Sequence, residues 1–403
     1  MKKVNLIDGW TVSGVTEKGF LEALSDITSA TKFLPLAGKD VGVYFRTSDG
    51  FGPGLVEVLA NIENFDCGVF ISEDELASGE LSEIHKNKPL WREGFDICGL
   101  FFVYPYGGDT IMSHCTPTIT GDLALFGITG RAAKTFSYHL AGLLAQCIEE
   151  QKITLCVREA DDGTKKVFAI RSGGYMGVPQ TEVFSLAKDA FAGEGTLHRW
   201  SMDHFYTEAV YEFPNRSVQL KTKNGREAVF VPYIKGGTSD TGDASISFSV
   251  AWKSPSSSAF LASGKNSATR KHSGDWTKGK EVFKKDLEHL VGKLTTLPDK
   301  LVELDGITVP KGEVPAVLEH WMEDSRLSKT TALPTAVATA LCNYAIACVE
   351  GELSADPSAA ELLLFLFEGR ENIPSFQNLS DLQQKILERG LEEIPYCRIR
   401  GQI

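Results

Sequence analysis

Apolar and polar positions alternate most regularly from Asp243 to Trp252. Ala244, Ile246, Phe248, Val250 and Trp252 fall on one face, and Ser245, Ser247 and Ser249 on the other. A period of two predicts a half-buried antiparallel strand. The same signal recurs in the residues before it. Lys152–Arg158 and Lys165–Arg171 are β-rich runs meeting at Asp161-Asp162-Gly163-Thr164, where glycine supplies the positive φ of a hairpin turn. His204–Phe213 and Arg216–Lys223 alternate likewise, and Asn224-Gly225 is a strong hairpin signal leading into Glu227–Val231. One helical pattern, Thr181–Phe191, interrupts the strands. The centre therefore reads β-β-α-β-β-β-β, then a loop, then a helix from about Trp276 to Leu294.

The flanks carry other periods. Among short apolar runs separated by Gly and Pro, Val41–Arg46 reads as a strand, Leu55–Ala60 as another strand or a short helix, and Phe95–Tyr104 as an apolar segment buried on both faces. Thr120-Gly121-Asp122 starts a helical stretch. Between Thr135 and Glu150 the apolar residues Phe136, Leu140, Leu143, Leu144 and Cys147 recur at helical spacing. Val314–Leu327, Thr335–Gly351, Ala359–Phe367 and Leu379–Arg389 are helical, with caps at Asp356-Pro357 and Ser380, and Pro298 and Pro310 bracket a linker into this part. The expected class is α+β: a central mixed or antiparallel sheet with packed helices and a helical C-terminal part. The expected units are an α/β region over 1–150, a β-rich core over 151–297 and an acidic helical region over 298–403.

The 403-residue chain is 42% hydrophobic and 23% charged, enough apolar residues for a sizeable core. Eight cysteines lie apart with no C-x-x-C pair, which fits reduced thiols in the cytoplasm. Two lysines near the start are not followed by an apolar run, so no secretory signal is expected, and no apolar stretch reaches membrane-spanning length. The formal charge of −12 excludes wholesale coating of nucleic acid or an anionic membrane.

Charge is unevenly placed. From Glu303 to Glu393 there are 16 acidic and 6 basic residues, either solvated helix faces or a docking surface for a basic partner. Gly264–Lys285 is the opposite: Lys265, Arg270, Lys271, Lys278, Lys280, Lys284 and Lys285 stand against Asp275 and Glu281. The glycines and serines of its first half predict a flexible loop. Lysine and arginine on such a loop suit a phosphate backbone, with Trp276 or Tyr175 stacking on bases, His272 within the basic run, and Arg158 and Arg171 as anion clamps on the sheet.

Catalytic signatures are missing: no G-x-S-x-G, H-E-x-x-H or Walker A occurs, and the Asp49–Gly54 loop has neither phosphate-loop nor dinucleotide spacing. His114-Cys115 and His272-Ser273-Gly274-Asp275 hold reactive residue types without the geometry of a dyad or triad. His139 and the His198–His204 pair lack partners at metal-ligand spacing. No catalytic residue, cofactor or metal is therefore assigned, and enzyme is not the leading class.

Thr154–Glu159 through Val167–Tyr175, then Ser239–Ser245 and Lys271–Gly274, resemble the DUF932 family of phage- and plasmid-borne proteins over roughly residues 150–290. The match is an apolar strand ending in Arg, a charged turn, a strand ending near Ser-x-x-Tyr, then a small-residue turn before a strand and a His-x-Gly. Gly173-Gly174 stands where more polar residues precede the tyrosine in that family. The resemblance implies a mobile-element accessory protein in the host cytoplasm. The β-β-α-β pattern adds an analogy to single-strand annealing proteins. Two functions follow: DNA binding, single-stranded or duplex, through the basic segment; or an oligomeric interaction or assembly component, such as a host-takeover or anti-defence factor, docking through its acidic helices.

Overall fold

A computed structural model describes residues 4–6, 9–46, 99–114, 145–161, 163–242, 244–253, 261–324 and 335–372. The architecture is α+β with a C-terminal helical part. Its centre is a seven-stranded antiparallel sheet. The strands are β1 (Thr11–Gly14), β8 (Thr196–Asp203), β9 (Thr207–Glu212), β11 (Glu227–Thr238), β12 (Ile246–Lys253) and β13 (Leu261–Arg270), in that spatial order, with β10 (Val218–Lys221) paired to β11. A second sheet runs β2 (Thr31–Ala37), β6 (Lys152–Glu159), β7 (Lys165–Ser172), and a third β3 (Gly42–Arg46), β4 (Gly99–Tyr106), β5 (Asp109–His114).

The serine-alternating strand forms as its period requires. Ile246, Phe248, Val250 and Trp252 of β12 are buried, while Ser247 and Ser249 are half-exposed. The buried face packs against α1 (Glu17–Ala30), α2 (Gln180–Ala190) and α3 (Trp276–Val291) through Phe20, Leu24, Val183, Phe184, Phe283 and Leu287. Trp252 is fully inside, and its indole N–H donates to Leu294 O at 2.7 Å, as a buried donor must. Asn224-Gly225 makes the expected turn between β10 and β11, with Gly225 at φ 82°.

Three expectations are corrected. The loop expected over Gly264–Gly274 is strand to Arg270. Small residues of low β propensity extend here because β12 pairs with them, Ile246 opposite Arg270 and Phe248 opposite Ala268. The linker between Pro298 and Pro310 is largely helix α4 (Thr296–Asp305), since Pro298 lies in its first turn, where no backbone N–H is needed. No strand was expected over residues 196–203, which form β8; the bulge between Leu197 and Arg199 breaks the alternation that would have revealed it.

Contacts also cross the positions near 150 and 297. β1 pairs with β8, β2 pairs with β6, and one hydrophobic cluster runs from Phe20 to Leu366. Helix α1 carries its own signal: Thr16 caps it, accepting from Gly19 N, and Phe20, Ala23, Leu24 and Ile27 bury one face. The helical part comprises α5 (Val314–Asp324), α6 (Thr335–Glu352) and α7 (Ala359–Asn372) after α4. α7 is apolar almost all round and buried over Ala359–Leu366.

Its docking is specific. Glu361, fully buried, accepts from Thr222 Oγ1 (2.5 Å), Asn224 Nδ2 (2.7 Å) and Ser358 N (2.9 Å). Ser358 Oγ in turn accepts from Glu361 N, a capping box at the start of α7. Arg226 bridges Glu352 and Glu368 and lies 4.4 Å over the Phe365 ring. Three acidic residues of the segment read as solvated helix faces or a docking surface thus hold the helices to the β10–β11 hairpin.

The expected helix over Leu379–Arg389, the Asp49–Gly54 loop, the Leu55–Ala60 run, the Thr120 helix start, Cys115 and His139 lie outside the described residues. Of the Thr135–Glu150 helix, Ala145–Glu149 is described and helical.

Candidate functional site

Residues 238–242, joining β11 to β12, form a turn that is polar and buried. Thr238, Ser239, Asp240 and Thr241 have at most 3% exposure, so an unpaired polar group here is costly. Asp240 and the Ser239 and Thr241 hydroxyls are hydrogen-bonded, whereas Thr238 Oγ1 has no partner among the described residues. Two other segments meet this turn: the end of β7 with its following turn (Arg171–Met176), and the joint between β13 and α3 (Lys271–Asp275).

Arg158 of β6 reaches the turn from below. Its Nη2 donates to Asp240 Oδ1 at 2.7 Å, and the two side chains are 0% and 4% exposed. Nε donates to Thr31 Oγ1 (3.3 Å), which passes its own hydrogen to Ile27 O (2.7 Å). Nη1 lies 2.8 Å from His204 Nδ1. A guanidinium has only donors, so Nδ1 accepts and His204 is the Nε2–H tautomer, with Nε2 donating to Asn5 O at 2.8 Å. The guanidinium also sits 4.7 Å over the Phe168 ring, and Phe168 and Trp10 flank the His204 ring. Lys166, fully buried next to this group, donates to Leu6 O at 3.0 Å. The network thus joins the N-terminal segment, the second sheet and the β11–β12 turn.

Above the turn, Arg171 Nε donates to Thr241 O at 2.6 Å and Tyr175 OH to Asp240 O at 2.9 Å. Gly242 has φ 85°, and a Cβ there would lie 2.4 Å from Arg171 Nε, so the close approach needs glycine. The Tyr175 ring lies between Phe33 (6.1 Å) and His272 (5.3 Å, 17° from parallel). His272 Nδ1 lies 3.3 Å from Met176 O, so Nδ1 carries the hydrogen; Nε2 is buried without a hydrogen-bond partner. Burial pushes the imidazole pKa down, Met176 O and Asp240 push it up more weakly, and Arg171 lowers it further. An isolated β-bridge between Tyr175 and Ser273 brings the two upper segments into register.

The twelve residues expected to contact nucleic acid therefore separate. Arg158 and His272 are interior, and Arg158 is withdrawn from any phosphate because its charge is matched by Asp240. Tyr175 is half-buried, with its ring stacked on His272. Trp276 is half-buried, its indole N–H donating to Glu182 Oε2 at 2.9 Å, with Lys280 Nζ 3.4 Å from the same oxygen. Arg270 pairs with Asp286 at 3.2 Å. Lys271, Lys278 and Lys285 are exposed and Lys284 half-exposed; Lys278 Nζ lies 3.8 Å from Asp275. Arg171 is half-buried at the rim, and Lys265 lies in β13.

Asp240, His204, Thr31 and Thr241 were missed as partners of the arginines. Only the Asp-containing small-residue turn hinted at them, because the contacts span 46 to 127 residues of sequence. The two histidines of the His198–His204 segment part company: His198 Nδ1 in β8 lies 3.4 Å from Glu212 Oε2, whereas His204, just past the strand, belongs to the Arg158 network. Among the described residues no group of three or more His, Cys, Asp or Glu is placed to hold a metal, and no helix is long and apolar enough to cross a membrane. No protein-family model, curated protein or solved structure matches the chain.

Proposed function

We propose that this chain is a DUF932-like accessory protein of a phage or plasmid that binds DNA, single-stranded or duplex, in the host cytoplasm. The observation that carries the reading is the Tyr175–Ser273 bridge, which brings the turn that follows the half-buried Arg171 against the turn that follows the exposed Lys271. Around them Ser172, Gly173, Gly174, Ser273 and Gly274 are exposed. Small side chains let a phosphate backbone come close to main-chain N–H groups, and Lys278 and Lys285 continue the cationic track along α3. The stretches that resemble DUF932 supply both sides of this end, from Arg171–Tyr175 and from Lys271–Gly274.

Binding here is electrostatic, without base stacking by Tyr175, whose ring is stacked on His272 and whose hydroxyl donates to Asp240 O. The test is fluorescence anisotropy of labelled single-stranded and duplex oligonucleotides across a salt series. Affinity should fall steeply with salt, and Lys271→Glu with Lys278→Glu should weaken it at least about tenfold while flattening the salt dependence. No binding to either oligonucleotide at low salt, or binding that ignores both substitutions, overturns the proposal.

A further inference from the structure

The last strand of the main sheet has a groove along its outer side. β13 pairs with β12 on its inner edge, and no strand among the described residues pairs with the other. A space of about 380 Å³ is lined by Ser267, Ala268 and Thr269 together with Asp286, His289, Leu290 and Lys293. Ala268 is buried towards the helices, whereas Ser267 and Thr269 are exposed. Consecutive strand residues point to opposite faces, so one space touching all three lies along the strand's edge, between β13 and α3.

A strand edge with no partner strand among the described residues, beside a helix-walled groove, suits an extended peptide. The peptide adds main-chain hydrogen bonds to the strand, and its alternate side chains enter the groove. Charge selects which peptide. Asp286 is occupied by Arg270 at 3.2 Å, leaving His289 and Lys293 as the groove's other ionisable groups. The carbonyls of His289 and Leu290 accept from Gly292 N (3.1 Å) and Lys293 N (2.9 Å), so the end of α3 does not present them to a ligand. We propose that the β13–α3 groove binds an extended segment of a partner protein with carboxylates at alternate positions, added as a further strand to the sheet. The site is separate from the Lys271–Lys278 end and does not rest on DNA binding.

The experiment uses the full chain and a labelled, end-capped peptide of alternating Glu and Val, read by fluorescence anisotropy. Two controls accompany it: the same peptide N-methylated at alternate residues, and a Lys-for-Glu version. The unmodified acidic peptide should bind, and both controls should fail. Lys293→Glu, folded to the same melting temperature, should weaken the acidic peptide at least about tenfold and admit the Lys peptide. Equal binding of the N-methylated peptide would show that the strand edge is not used. An unaffected Lys293→Glu variant would remove the groove. Displacement of the peptide by a single-stranded oligonucleotide that Lys293→Glu also weakens would give the groove to nucleic acid. A concentration-dependent dimer dispersed by the peptide would make a second copy the occupant. Any of these overturns the proposal.

Discussion

Arg158 and Asp240 stand 82 residues apart in sequence, yet Nη2 and Oδ1 meet at 2.7 Å with almost no solvent reaching either. The pair ties the second sheet to the end of the main one. A buried charge without its partner is far more costly than a buried pair removed as a whole. Asp240→Ala should therefore destabilise the protein by about 3–5 kcal/mol. The double change Arg158→Met with Asp240→Leu should cost less than Asp240→Ala alone. Urea denaturation of the three proteins decides this, and a double variant that is the least stable of them would refute the assignment.

His272 makes stability depend on pH. Its pKa in the folded protein lies below the ordinary 6.5, because burial disfavours the imidazolium. The unfolded chain therefore takes up the proton first, and the histidine's contribution is complete above 6.5 and lost as pH falls from there towards the folded value. His272→Asn keeps a donor for Met176 O and does not titrate. Melting temperatures measured between neutral and acid pH should fall more for the native protein than for the variant. Parallel curves would mean that other groups carry the acid sensitivity.

Gly242 is held at φ 85° with Arg171 against it. Gly242→Ala combines an unfavourable backbone with a contact that displaces the guanidinium from Thr241 O. A loss of about 1–3 kcal/mol is expected in thermal unfolding. Gly274→Ala is the useful comparison, since Gly274 also has positive φ, 86°, but open space around it. It should cost less.

Glu361 fastens the helical part to the β10–β11 hairpin. In Glu361→Ala the Thr222 hydroxyl, the Asn224 amide and Ser358 N each lose an acceptor. Leaving buried polar groups unpaired should lower stability by about 1–3 kcal/mol. It should also raise hydrogen exchange in α7 before the main sheet is affected. Uniform exchange across both would show that helices and sheet open as one unit.

The local part of this architecture was legible in the residues. The Ser-alternating strand, the Asn224-Gly225 turn, the hairpin at Gly163 and helix α2 follow from periods and turn chemistry acting over a few residues. So do the helices beginning at Val314, Thr335 and Ala359, each with a buried apolar face. These features need only a neighbour to bury against, whichever neighbour it is. β13 and α4 were misread where the local signal was weak: a Ser/Gly-rich run extends because β12 offers it hydrogen bonds, and Pro298 is harmless in a first helical turn.

The candidate site was half legible. Arg171, Lys271 and the turn residues stood out by type, but their surroundings did not. Arg158 looked like an anion clamp because a sequence shows a charge and not what it meets; Asp240, Thr31 and His204 converge on it only once two sheets have packed. Tyr175 and Trp276 looked like stacking platforms, and tertiary contacts with His272, Phe33 and Glu182 use them internally. Residue pattern determined which strands and helices this chain can form, since periodicity and turns act between near neighbours. Which charges remain at the surface, and that the polar Thr238–Gly242 turn lies inside, was decided by long-range packing. Burial is a property of the assembled sheets.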